Sequence, residues 1–137
     1  MNTRTSKLVG ISAVIAVIGL AGGLALNAQQ PAAVKRNVVL KQDMTLPDRE
    51  GVMVLVEIPV GAQEGRHTHF AEAFAFVLEG TISLENEGNP TVTLKAGDAF
   101  HVLPGKVHNA TNTGSVPAKL AAVFVAEKGK PLTTPVK

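Results

Sequence analysis

Residues 37–126 predict an all-β sandwich or barrel. Three observations carry that class: the apolar runs are short and rich in Val, Ile and Thr, turn-forming residues separate them at near-regular spacing, and no convincing amphipathic helix interrupts them. With 137 residues the chain is long enough for one domain with a modest core and too short for two.

Taken in order, the first candidate strand is Asn37–Gln42, and Pro47-Asp48 turns the chain into Val52–Ile58. Pro59 and Gly61 end that strand, after which Arg66–His69 and Phe74–Leu78 follow. Glu79-Gly80 leads into Thr81–Glu85, and Gly88-Asn89-Pro90 into Thr91–Leu94, where Thr91-Val92-Thr93-Leu94 alternates as a half-buried strand should. Gly97-Asp98 precedes Ala99–Leu103, Pro104-Gly105 precedes Val107–Asn112, and Gly114 with Pro117 precedes Lys119–Ala126. Residues 127–137 are polar and hold two prolines, which predicts a tail over the surface or toward a partner.

The N-terminus reads as an address. Arg4 and Lys7 precede Leu8–Leu26, nineteen residues without a charge, and Asn27-Ala28-Gln29-Gln30 then turns polar. A hydrophobic helix is expected there, with two outcomes. A cleaved secretory signal has an apolar stretch of roughly 7–15 residues, and Gly23, Ala25 or Ala28 would suit processing. A membrane anchor needs about 20 residues, which 8–26 nearly supplies. Residues 1–28 are thus a signal peptide or anchor, 29–36 a linker containing Pro31, and the rest is exported, periplasmic or secreted. Contact with a membrane is expected only through an uncleaved N-terminal segment.

Composition removes several function classes. Net charge is +2, but both Arg4 and Lys7 lie ahead of the apolar run, leaving 11 Lys and Arg against 11 Asp and Glu in the remainder. No basic cluster marks a nucleic-acid surface. The chain has no cysteine, which excludes thiolate catalysis, disulfides and Cys-ligated metal. Tyr and Trp are absent as well, so neither a Tyr general acid nor a strong base-stacking platform is expected.

Two of the four histidines form His67-Thr68-His69. On a strand, residues two apart point the same way, so the two imidazoles can take adjacent corners of a coordination sphere. Alone, such a pair is as compatible with a fortuitous surface pair as with ligation. Its surroundings add to it: Gly61-AQEGR-His67-Thr68-His69-FAE-Ala73-FAFVLE-Gly80 is followed, after sixteen residues, by Gly97-DAFHV-Leu103-Pro104-Gly105-KV-His108-NAT-Asn112. These stretches resemble the two motifs of the cupin superfamily, G-x5-H-x-H-x3-E-x6-G and G-x5-P-x-G-x2-H-x3-N, in the right order and with the short spacer of small microbial cupins. The resemblance covers about residues 37–126. It implies a double-stranded β-helix, that is, a jelly-roll β-barrel. It also implies one divalent metal (Fe, Zn or Mn) on His67, His69 and His108.

Two positions depart from the pattern. Leu103 replaces the first proline of the second motif, although Pro104 follows it. Ala73 occupies the glutamate slot. The neighbouring Glu72 is a candidate fourth ligand, but strand parity turns it to the other face unless a bulge intervenes, leaving it a solvated carboxylate. Three neutral imidazoles can still hold a metal, and without a carboxylate the ion keeps its full +2 charge and pulls harder on an anionic ligand. His101 is either a packed barrel histidine or a catalytic proton shuttle. Asn112 is expected to support the strand or the ligands, and Phe74, Phe76, Phe100 and Phe124 to be core or pocket wall.

The resemblance implies a metal-dependent enzyme of dioxygenase type acting on a small organic acid or diketone-like molecule, with Lewis-acid hydrolysis as the next choice. It is similar here to the three-histidine iron centres of thiol dioxygenases within the superfamily. Loss of the glutamate also fits a non-catalytic module of the cell envelope that binds a ligand or metal, or a structural cupin with a vestigial site. A homodimer is implied by the same resemblance.

Overall fold

The structure, a computed structural model, describes residues 31–137. The expected N-terminal helix and export segment lie outside the described residues. Within them the regular elements are ten strands: β1 Lys35–Asp43, β2 Arg49–Ile58, β3 His67–Thr68, β4 Ala71–Glu79, β5 Thr81–Asn86, β6 Val92–Lys95, β7 Ala99–Val102, β8 His108–Asn112, β9 Ala118–Glu127 and β10 Thr134–Pro135. Among the described residues no helix is long and apolar enough to cross a membrane.

The strands form two five-stranded antiparallel sheets, ordered β1-β2-β9-β4-β7 and β10-β3-β8-β5-β6. Alternation along each strand decides which face is buried. In β2, Val52, Val54, Val56 and Ile58 are buried while Met53 and Leu55 are exposed, and β4 and β9 repeat the pattern with Ala71, Ala73, Ala75 and Val77 and with Leu120, Ala122, Phe124 and Ala126.

Register gathers the inward side chains of the first sheet into rows. Val52, Phe124, Ala73 and Val102 form one row; Val38, Val54, Ala122, Ala75 and Phe100 form the next; Arg36, Val56, Leu120 and Val77 form the third. A bulge between Val38 and Leu40 then changes the parity of β1, so that Leu40 pairs with the outward Met53.

Two residues fix the hairpins that carry the site. Gly80 turns β4 into β5 at φ +81°, and a Cβ there would lie 2.8 Å from the Ala118 Cα, so both conformation and space demand glycine. Asn112 is buried, donates to the Ile58 and Val116 carbonyls at 2.8 Å each, and accepts from the Gly114 amide at 2.9 Å. It pins the end of β8 to two other segments, the supporting role its place in the motif suggests.

All nine expected strands are present, with ends moved by up to three residues. Two segments differ from expectation. β1 begins at Lys35, inside the stretch expected as linker. The C-terminal tail returns to the body: Thr134 and Pro135 pair with Thr68 and His67, and the Val136 amide donates to the Arg66 carbonyl at 2.9 Å. Its single apolar anchor, Leu132, packs on the core.

Candidate metal centre

His67 opens β3, His69 follows it, and His108 opens β8 directly opposite His67 in the ladder. The facing pair brings two rings within 4.2 Å of each other, and the same-face spacing brings the third to 4.8 Å from both. One ligating nitrogen from each of the three lies within 4.8 Å of the other two, and all three residues are buried. The imidazoles expected from two distant stretches of sequence therefore meet at one point.

Each ring is oriented through its other nitrogen. Nδ1 of His67 lies 2.6 Å from the Gly65 carbonyl oxygen, Nδ1 of His69 2.7 Å from that of Leu132, and Nδ1 of His108 3.1 Å from that of Lys106. A carbonyl can only accept, so each Nδ1 carries the proton and donates it, leaving the Nε2 lone pair free. Burial pushes His69 and His108 down to about 4, overcoming the opposing pull of the Leu132 and Lys106 carbonyls, and neighbouring imidazoles add to the effect. Both rings are neutral at pH 7. Three buried imidazoles, each tied to a carbonyl through Nδ1 and with its other nitrogen free, are the donor set a divalent ion requires, and the residues fit one.

A further hydrogen-bonded chain supports His67. Asn109 donates through Nδ2 to Gln63 Oε1 at 2.9 Å and accepts from the Gly65 amide at 3.0 Å, which holds the peptide segment whose carbonyl orients His67. The supporting residues Gly65, Asn109 and Leu132 escaped the sequence reading. The position of Asn109 beside His108 was the one available signal.

A cavity of about 120 Å³ opens beside the triad. Its walls are Val38, Val54, Val56, Ala73, Ala75, Phe100, Val102, Leu120, Ala122, Phe124 and Leu132, with Arg36, Glu64 and Thr133 as polar members besides the histidines. Phe124 meets the His69 ring edge-on at 4.8 Å. Arg36 donates from Nη2 to Glu64 Oε1 at 3.2 Å.

Ala73 lines this cavity, so the glutamate slot of the motif faces the site and holds only a methyl group. The structure does not bring Glu72 or His101 to the triad. In β7, Phe100 and Val102 face inward and His101 between them faces out, and in β4 Glu72 does the same. The two meet on the outer surface, with Nε2 of His101 2.8 Å from Oε1 of Glu72 and the His101 ring stacked on Phe74 at 4.8 Å. Neither a fourth ligand at Glu72 nor a proton shuttle at His101 has the required geometry, and His101 is not packed in the interior either. The phenylalanines divide by the same parity: Phe100 and Phe124 line the cavity, whereas Phe74 and Phe76 are exposed.

A two-sheet β-sandwich with an interior three-histidine cluster defines the class of protein, and comparison with known proteins places it. Residues 54–124 match the family model described as a cupin domain, and the chain belongs to that family. Among solved structures it is similar to an uncharacterised conserved protein with a double-stranded β-helix domain from Klebsiella pneumoniae: TM-score 0.61, 25% identity, 74% of this chain and 84% of that one covered. It is also similar to a predicted oxalate decarboxylase from Thermotoga maritima (TM-score 0.59, 23% identity, 68% and 80% covered). The DMSP lyase DddQ from Ruegeria pomeroyi is a third (TM-score 0.63, 21% identity, 75% and 51% covered). The last two likenesses establish shared fold alone. No curated protein matches the chain.

Proposed function

We propose that this cupin is a metal-dependent enzyme of dioxygenase type whose substrate is a small organic acid or a diketone-like molecule. The observation that carries the reading is the trio of Nδ1-tethered, buried imidazoles facing a cavity in which Ala73 takes the place of a carboxylate. A ferrous ion bound there would supply Lewis acidity and one-electron chemistry toward dioxygen. His67, His69 and His108 would hold it, each through the ring nitrogen not tied to a carbonyl. The apolar walls exclude water and raise the strength of every charge interaction inside. Arg36 attracts and orients an anionic group. Chemistry of this kind proceeds at the ion and needs no nucleophile from the protein.

The test is anaerobic loading with ferrous iron followed by oxygen uptake with a panel of small acids, diketones and thiols. Substrate-dependent uptake well above that of free iron is expected. Uptake equal to free iron across the panel, with metal retained, would instead favour a binding module, the second reading. Ala73 supports that alternative, because losing a ligand is one route from catalyst to binder.

Two further assignments belong to this reading. We propose that the protein acts outside the cytoplasm, on the strength of the charged start and uncharged run of residues 1–26; N-terminal sequencing of material from the envelope fraction tests it. We also propose a homodimer. On the outer face of the first sheet, Met53, Val123 and Phe74 form one exposed row, and the exposed Leu55 and Phe76 flank the half-buried Ala121 in the next, an apolar patch that a second copy can cover by two-fold pairing. Light scattering of wild type and Phe76→Lys reads it, with a dimer expected for the first and a monomer for the second.

A further inference from the structure

The hollow beside the triad exists because the middle of the first sheet carries little side-chain volume. Ala75 and Ala122 oppose each other directly in the ladder, and Ala73 sits one row away against Phe124. Val38, Val54 and Phe100 complete the row through Ala75 and Ala122, and no polar side chain belongs to it. The next row begins with Arg36, the only Lys or Arg lining the cavity among the described residues. Arg36 uses Nη2 on Glu64 and has no other side-chain hydrogen bond among the described residues, so its remaining donors are available to an anion. The Arg36–Glu64 pair brings no net charge, so what the cavity wall offers is guanidinium N–H donors and imidazole nitrogens, set against the methyl, isopropyl and phenyl groups of the alanine row.

We propose that this pocket takes a small monocarboxylate with an apolar body. Its carboxylate lies between the histidine cluster and Arg36, and its carbon chain lies over Ala75 and Ala122. The inference names the substrate class of the proposed enzyme and rests on that reading for its anionic end. A dicarboxylate such as oxalate, or a polyhydroxylated acid, would have to desolvate polar groups against the alanine row with nothing to receive them.

The experiment is a titration of acetate, propionate, butyrate, valerate and oxalate into the full chain, read from the Ala75 and Ala122 methyl resonances, with protein loaded with Zn(II) and with metal-free protein. Burial of each added methylene should tighten binding by about fourfold over the first few carbons. Butyrate should bind more tightly than oxalate. This slope belongs to the hollow and is expected in both forms, whereas the metal contributes a constant offset between them. A slope without an offset would refute the metal-dependent function and still support the pocket assignment. A flat series in both forms, or oxalate binding most tightly, overturns the proposal. Ala75→Leu should fill the hollow and flatten the series, and an undiminished slope in that variant also overturns it. If the variant fails to fold, the wild-type series decides alone.

Discussion

His69 receives its orientation from a residue 63 positions later: its Nδ1 lies 2.7 Å from the carbonyl oxygen of Leu132, in the C-terminal strap that crosses back over β3. Thr133 Oγ1 approaches the same nitrogen at 3.3 Å. The strap therefore both closes the cavity with Leu132 and fixes the tautomer of a metal ligand. Deleting residues 132–137 should weaken metal binding by about 10–100-fold, the usual cost of losing a partner that orients a ligating histidine. Competition with a chromophoric chelator measures this. Unchanged affinity in a folded truncation would show that the strap is decoration.

The strap also marks where sequence reasoning stopped. The nine strands were legible because their apolar residues alternate, and the triad because His67-Thr68-His69 puts two rings on one face while the second motif fixes His108. Thr134–Pro135 lacked any such pattern: two residues paired across 66 and 68 positions leave no periodicity, and proline argues against a strand. Arg36 was hidden for a different reason. It lies in the stretch after Pro31 expected as a linker without periodicity, and only the ladder with Val56 reveals that it faces the cavity. The outward position of His101 was within reach, since Phe100 and Val102 flank it and one of the two faces must be apolar.

That parity yields a negative prediction. His101→Gln removes the contact to Glu72, an exposed pair worth about 0–1 kcal/mol. Metal affinity and oxygen uptake should match wild type, and urea midpoints should move little. A loss of more than tenfold in turnover at constant metal content would require His101 to act on the site through a route the present arrangement does not contain.

Acid should destabilise the metal-free protein earlier than ordinary carboxylate titration would. His69 and His108 have folded values of about 4 against an unfolded value of 6.5. Between these values the unfolded chain binds more protons than the folded one, so stability is fully present above 6.5 and is lost as pH falls toward 4. The expected loss between pH 7 and 5 is about 2 kcal/mol per imidazole, or somewhat less for the coupled pair. Urea denaturation of metal-free protein at the two pH values checks it. Equal stability at both would mean that the rings are not held neutral by burial.

Asn112 makes a separate claim about stability. Replacing it with alanine removes three hydrogen bonds and leaves the buried Ile58 carbonyl and the part-buried Val116 carbonyl and Gly114 amide without that partner. The cost should be about 2–4 kcal/mol. Metal affinity of the folded fraction should stay within a few-fold, because Asn112 touches none of the three ligands. Chemical denaturation together with chelator competition separates the two effects.

The most informative substitution restores what the motif lacks. Ala73 is 4% exposed, lines the cavity and sits beside Phe124, whose ring abuts His69. In Ala73→Glu a carboxylate enters an apolar space, so the metal-free protein should lose about 1–3 kcal/mol of stability, much of it by forcing the new side chain to take up a proton. Added metal should reverse the penalty, because the ion receives a fourth, anionic ligand and its net charge drops from +2 to +1. Metal affinity should rise at least tenfold while carboxylate affinity falls, since both the open position and half of the attracting charge are gone. Thermal unfolding with and without Zn(II), paired with the butyrate titration, reads both changes. If the variant bound metal no better than wild type, position 73 would lie out of reach of the ion, and the alanine there would say nothing about how this site differs from a cupin with a glutamate.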